Sequence, residues 1–436
     1  MNASPSAGTD SSTVSNPVSL WHNRDYVSWW VGSTVSLLGS YMSVVAFPLL
    51  VLFTTGSVLG AGMIAAAGRI GMLVTMLWGG VLADRVSRKT ILVTGPLLQA
   101  LVMAVIAGLV RAGHTPIALL VFGGLVSGLA SGVVEGAELP ALRRIVPKER
   151  FADRAAQAQG THMATQMAAS PLSAVLFTVG RSIPFGVDAL SFAASAIGSA
   201  LIRKPLGPLR QSADGRPGFI IELRRGVRLV RHDAFLRYTA AWIAIANMVG
   251  NSFSLLLIAL LKYRGADPRA IGVTIALVMV GGIAGSLLAG RVIRTFNAHR
   301  IFLIGNWTSV VLLAAAALAP RPWQVGAVAC VEVAVSVPMA AVWEAYTAHL
   351  IPDRFVGRVG AVMSFSSQSL TWAGMLLVGA LADAFGAPTT VFVCVGLVLP
   401  FAVISIRARA IDLFRTPLAD VQELSELGES EMSTRF

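Results

Sequence analysis

Cysteine is nearly absent: the 436 residues hold only Cys330 and Cys394, each inside an apolar stretch. That excludes a disulfide framework or a cysteine-ligated metal, and leaves both residues to packing. Charge is scarce too. Asp, Glu, Lys and Arg make up 13% of the chain, against about 25% in soluble domains. No Gly-rich phosphate loop ending in Lys-Ser or Lys-Thr occurs, so ATP is excluded as a direct energy source. Nor are there paired histidines or a nucleophile elbow to run metal-assisted or acyl-transfer chemistry. No catalytic residue, metal or cofactor is expected, and the chain does not read as an enzyme. The first twenty residues lack both a basic start and an apolar core, and read as a disordered tail rather than a cleaved signal peptide.

What is abundant is apolar surface. Hydrophobic residues are 55% of the chain and the mean hydropathy is +0.72. A hydrocarbon core of about 30 Å needs about 20 apolar residues per crossing helix. The runs here are continuous rather than alternating, which selects helices over a barrel, because each helix satisfies its own backbone polar groups. Twelve spans are expected, at 27–53, 57–83, 90–111, 115–139, 156–180, 184–203, 236–261, 269–293, 300–319, 323–345, 357–382 and 388–408. The expected fold is an all-α membrane protein of two six-helix bundles. Residues 1–20 form a tail, 21–203 the first bundle, 204–233 a linker, 234–409 the second bundle and 410–436 a second tail.

Acids are outnumbered, 22 against 34 bases, for a net charge of +12. Of the 34 Lys and Arg, 27 fall on one side of the expected topology, six on the other, and Arg69 lies inside a span. That is the positive-inside bias. It accounts for the basic balance without nucleic acid and places both termini in the cytoplasm, with the chain in the plasma membrane. The linker carries Ile220, Leu223, Val227 and Val230 on one helical face and Arg224, Arg225, Arg228 and Arg231 mostly on the rest. Such a helix suits the anionic lipid of the cytoplasmic leaflet, or else is a solvated surface helix.

The two sixes read as copies. Ile145-Val-Pro147-Lys-Glu-Arg-Phe151 after the fourth span is matched by Leu350-Ile-Pro352-Asp-Arg-Phe355 after the tenth, and Phe185-Gly186 is echoed by Phe385-Gly386. Six spans repeated in the same orientation imply a two-fold axis along the membrane normal, with a cavity between the halves.

Between the second and third spans stands Gly80-Val-Leu-Ala-Asp84-Arg85-Val-Ser-Arg88-Lys89. It resembles the signature of the major facilitator superfamily, with Ser87 where a second Gly is usual. Asn23-Arg-Asp25-Tyr26, Val35-Ser-Leu-Leu-Gly39-Ser40, Pro140-Ala-Leu-Arg-Arg-Ile-Val-Pro147 and Asp188-Ala-Leu-Ser-Phe192 are similar to the branch holding enterobactin exporters and macrolide-efflux proteins. The likeness runs from Leu20 to Arg409. The fifth span departs from the antiporter pattern, with Ser170-Pro-Leu-Ser173-Ala174 in place of paired glycines, and the fourth lacks an embedded Arg. In the second half, Gly290 stands where the hairpin has an acid.

The resemblance implies a cytoplasmic latch formed by Gly80, Asp84, Arg85, Arg88, Lys89 and Glu138. In it Asp84 meets the start of the eleventh span, where the helix dipole favours an anion. Arg85 or Arg88 meets Glu138 or Glu135; topology-setting alone is the other role open to these bases. Ionisable groups within spans are costly and point to function by default. Arg69 lies about 22 Å up the second helix from Asp84; it can pair with an acid, bind an anionic substrate or snorkel outward. Glu332, Glu135, Arg69 and His162 are the candidates for proton or charge coupling, Glu332 foremost, with a fixed ion pair its alternative. Gln159, His162 and Gln166 share one face of the fifth span, and Asn247 and Asn251 one face of the seventh, as cavity lining or as interhelical partners. With Tyr41, Arg69 and Glu332 these make the candidate substrate cavity; Trp242 and Trp343 can supply stacking surface, but read first as interface-belt residues. The function implied is proton-driven export of a small amphipathic compound, a drug, antibiotic or siderophore-like metabolite, by a monomer. An importer or facilitator of the same fold, or a non-transporting receptor or membrane-embedded enzyme, are the alternatives. Asp84→Asn is expected to leave membrane insertion intact and lower transport; full activity at normal expression would remove the acid from the latch.

Overall fold

A computed structural model describes residues 20–207, 234–350, 366–407 and 413–416 of the chain; the side chains of 76–85, 148, 152, 234, 235, 348 and 407 are outside that description. Among the described residues, twelve helices of 15 residues or more follow one another. The first half holds α1 (Arg24–Thr54), α2 (Val58–Arg85), α3 (Arg88–Arg111), α4 (Ile117–Ile145), α5 (Phe151–Val179) and α6 (Ile183–Ala200). The second holds α7 (Ala234–Tyr263), α8 (Pro268–Thr295), α9 (Ala298–Leu318), α10 (Pro322–Leu350), α11 (Thr371–Phe385) and α12 (Ala387–Arg407). Ten of the twelve are long and apolar enough to cross a membrane. The other two are α5, which carries the polar face, and α11, which is only 15 residues long. Eleven expected spans match the helices to within about six residues; the remaining one, expected at 357–382, begins outside the described residues and overlaps α11 only from Thr371, and the hairpin is shorter than expected. Arg85 closes α2 and Arg88 opens α3, leaving only residues 86–87 between them. The basic linker helix expected at 220–231 lies outside the described residues, as do both tails apart from 413–416.

Local chemistry sets the helix ends. Asn23 caps α1 by accepting the Tyr26 N–H at 3.3 Å, and Asp267 caps α8 by accepting that of Ala270 at 2.7 Å. Equivalent turns after α1 and α7 are closed by Gly56 (φ 78°) and Gly265 (φ 84°), conformations that only glycine adopts without strain.

Helix pairing repeats with the half. The first pairs α2 with α4, α1 with α5 and α6, and α3 with α4 and α6. The second pairs α8 with α10, α7 with α11 and α12, and α9 with α10 and α12. This is the two-bundle, pseudo-symmetric architecture expected from the duplicated sequence. Apolar association alone does not drive helices together in lipid, so small residues that admit close backbones do the packing. A Cβ on Gly71 would fall 2.5 Å from the Leu125 carbonyl oxygen of α4, and one on Gly285 would fall 2.5 Å from that of Ala334 on α10.

Between halves, α2 packs on α11 and α5 on α8. Among the described residues, the hydrogen bonds that join the halves all lie at one end, here called the first end, which carries the α1–α2, α7–α8 and α11–α12 turns. Asp383 accepts from Ser57 Oγ at 2.7 Å and from the N–H groups of Val58 and Leu59 at 2.6 and 3.1 Å. Lys262 Nζ donates to the Leu52 carbonyl, and Arg269 Nε to Thr178 Oγ1 at 3.3 Å. Glycine approaches across the halves, Gly62 to Met375 and Gly272 to Ala174, belong to the same end.

The second end of the first half is knitted internally. Asp25 accepts the N–H groups of Arg203 and Lys204 at 2.9 and 3.1 Å, so the start of α1 holds the chain leaving α6. Asn23 Nδ2 donates to the Ile145 carbonyl at 2.9 Å, and Lys89 Nζ to that of Ile202 at 2.7 Å. Gly71→Leu and Gly285→Leu should each cost about 1–3 kcal/mol or more by overpacking. A lower unfolding midpoint in detergent would register it, with Gly108→Leu, where a Cβ meets nothing within 4 Å, unchanged.

Candidate functional site

The polar residues of the first half converge because α1, α4 and α5 turn their hydrophilic positions toward one another. A cavity of about 440 Å³ lies inside this half, walled by α1, α3, α4, α5 and α6. Tyr26, Trp29 and Trp30 form its aromatic side, and Glu135, Glu138 and Arg154 its charged side, with His162 at its edge. Two bonds tie α1 to α5 along the wall: Tyr26 Oη donates to Gln157 Oε1 at 2.8 Å, and Trp30 Nε1 to Thr161 Oγ1 at 3.3 Å. Glu138 meets Arg154 at 3.6 Å, and the Arg154 guanidinium lies 5.8 Å from the Trp29 ring centre. The expected acid Glu138 is thus paired with a base from its own half.

Tyr41 and His162, chosen from separate spans, are in contact: the tyrosine hydroxyl is 3.3 Å from Nδ1 of the imidazole. Arg69 of α2 interacts electrostatically with both Tyr41 and Glu135. No acid lies within 4 Å of Arg69 among the described residues, so it sits in a charged neighbourhood without a close ion pair. Gln159 and Gln166 are exposed on α5 beside His162. Gly80 is in α2, and the side chains of Asp84 and Arg85 lie outside the described residues. Arg88 is buried at the start of α3, its main-chain N–H donating to the Leu206 carbonyl at 3.1 Å.

The second half contributes less. Glu332 Oε1 accepts from Ser309 Oγ of α9 at 3.2 Å, so its hydrogen bond runs to a helix whose main contacts stay within that half. Counted from the helix starts, this bond is the counterpart of Gln99 Nε2 donating to Ser127 Oγ at 3.5 Å between α3 and α4. Asn247 and Asn251 each donate to the carbonyl one turn back on their own helix, Ile243 and Asn247, at 2.9 Å; these amides do not bridge helices. Trp242 is corrected outright. It is buried rather than in an interface belt, and its Nε1 donates to Asn306 Oδ1 at 3.0 Å.

Two acids had gone unassigned. Asp188, 1% exposed on α6, accepts from Ser43 Oγ of α1 at 2.5 Å and from Ser191 Oγ at 3.2 Å. Gly39 makes room, since a Cβ there would lie 2.7 Å from Asp188 Oδ1. An acid inside an apolar run was the available signal. Asp383 had a weaker one, an acid at the end of a span. Ser43→Ala should leave the buried Asp188 carboxyl short of a donor, at about 1–3 kcal/mol, read as a lower unfolding midpoint; Ser43→Thr should restore most of it.

With this geometry in place, comparison with known proteins is informative. Residues 29–263 match the family model described as Major Facilitator Superfamily. Macrolide efflux protein A of Streptococcus pyogenes is 24% identical over 413 residues, covering 87% of this chain and 96% of that protein. The multidrug efflux pump Tap of Mycolicibacterium fortuitum is 25% identical over 415 residues, covering 87% and 95%. Among solved structures, a bacterial homologue of the iron transporter ferroportin in an inward-facing state superposes with a TM-score of 0.66 at 20% identity, covering 89% of this chain and 99% of that one. The nucleoside transporter NupG gives 0.68 at 12% identity, covering 91% and 100%.

Proposed function

The chain belongs to the Major Facilitator Superfamily and is a multi-pass membrane transporter, and from that premise we propose that it exports a small amphipathic compound in exchange for protons. The observation that carries the reading is the one-ended joining of the two halves. Two rigid bundles held together at the first end and free of such bonds, among the described residues, at the second are a geometry for alternating access. With the positive-inside bias as guide, the second end faces the cytoplasm of a plasma membrane and carries both termini, and a substrate enters from that side.

Substrate class follows from the cavity lining. Aromatic faces of Tyr26, Trp29 and Trp30 suit a flat or bulky apolar body. Glu135, with no base within 4 Å among the described residues, suits a basic group on the same molecule. A basic amphiphile fits this pairing better than an anion. The efflux names of the two relatives, matched along 87% of the chain, support the same direction and class.

Coupling belongs to the Tyr41, His162, Arg69 and Glu135 group in this reading. There a proton and a cationic substrate compete for one acid, and the arriving proton displaces the cargo. Glu332, bonded outward to Ser309, is the second candidate. The hairpin residues Gly80, Asp84, Arg85, Arg88 and Lys89 serve the closure of the cytoplasmic end, and the exporter works as a monomer. Cells expressing the protein should accumulate less of a cationic dye and of a macrolide than controls, an uncoupler should abolish the difference, and Glu135→Gln should lose the uncoupler-sensitive part. A difference that survives the uncoupler favours a facilitator; equal accumulation throughout removes the export of basic amphiphiles.

A further inference from the structure

The strongest bond group between the halves involves a residue that no motif had marked. Helix α2 begins with three backbone N–H groups that lack intrahelical partners. Ser57 Oγ serves one of them, accepting from Gly60 at 2.9 Å. The N–H groups of Val58 and Leu59 are served from the other half of the protein, by the two oxygens of Asp383 at 2.6 and 3.1 Å, and Ser57 Oγ donates to the same carboxylate at 2.7 Å. An anion at a helix N-terminus is also favoured by the helix dipole. Gly379, one turn before the acid, makes the approach possible: a Cβ there would lie 2.8 Å from Leu59 Cα.

The same five-residue pattern occurs twice. Gly379-Ala-Leu-Ala-Asp383 ends α11, and Gly80-Val-Leu-Ala-Asp84 ends α2. The two helices run antiparallel, so the two copies lie at opposite ends of the molecule. The sequence pattern that admits and caps a neighbouring helix at Gly379 and Asp383 is thus repeated in sequence at the opposite end of the same helix pair.

We propose that Asp383 is the first-end latch of the transport cycle, the counterpart of the Asp84 hairpin at the second end. Its carboxylate holds the start of α2 while the first end is closed and releases it to water for that end to open. Asp383 is exposed, so water can take over the N–H groups of Val58 and Leu59 on release, and the bond group is reversible. The two caps are mutually exclusive, because tilting the halves to seat one acid lifts the other. This inference rests on alternating access as proposed above.

The test uses spin-label pairs in the full chain, with Cys330 and Cys394 replaced by Ala. Labels at Leu119 and Leu318 report the first end, and labels at Arg143 and Phe296 the second; all four positions are exposed. Asp383→Ala should shift the population ratio by roughly tenfold toward a widened Leu119–Leu318 distance. The Arg143–Phe296 distance should shorten in step, and Asp383→Asn should give a smaller shift. Distances that vary with pH in the parent protein but not with either substitution would overturn the latch alone. Distances fixed in the parent under every condition would overturn alternating access itself. Should Asp383→Ala fail to fold, the Asn variant decides; should both fail, Asp383 is a folding determinant and the latch is wrong.

Discussion

Everything functional in this protein depends on how two six-helix bodies touch. They meet chiefly along two helix pairs, α2 with α11 and α5 with α8, and among the described residues the polar bonds between them gather at one end. Such an interface can hinge without repacking either body, because the tight contacts within each bundle are backbone-close and specific. Glycines on α2 and α8 admit α4 and α10 to distances a methyl group would block. Stiff halves joined by a few exchangeable bonds are what a rocking motion requires.

The bundle architecture was readable from residues because lipid imposes a coarse rule, one apolar run per crossing. Duplication was readable in the loops following the fourth and tenth spans. Asn23 and Asp25, noticed only as a familiar phrase, have a physical role: one caps α1 and holds the end of α4, the other holds the exit from α6. Long-range pairing was the hidden part. Asp188 and Ser43 are separated by 145 positions, Asp383 and Val58 by 325, and no periodicity connects them. For the two asparagines of α7, open between cavity lining and interhelical bonding, a spacing of four also lets each amide bond its own helix, as both do. Trp242 was misplaced because an indole near a span end suits a belt as well as a bundle interior; its partner Asn306 decided for the interior.

Polar character is divided unequally between the halves. Tyr41, His162, Arg69 and Glu135 cluster in the first, and His162 and Glu135 also line a cavity with aromatic and acidic walls. The second offers Glu332 held to Ser309 and a largely apolar interior of Trp242, Phe302, Trp343 and Phe414. Among the described residues the polar groups thus lie mainly in one body, while the interior of the other is largely apolar.

That division has a trace in a single pair of matched bonds. Where α3 meets α4 the contact is an amide on a serine, and where α9 meets α10 it is a serine on a carboxyl. The first joins two neutral side chains, whereas the second includes an ionisable one. The two halves therefore carry different chemistry at matched positions. Swapping the halves end for end would not give back the same machine.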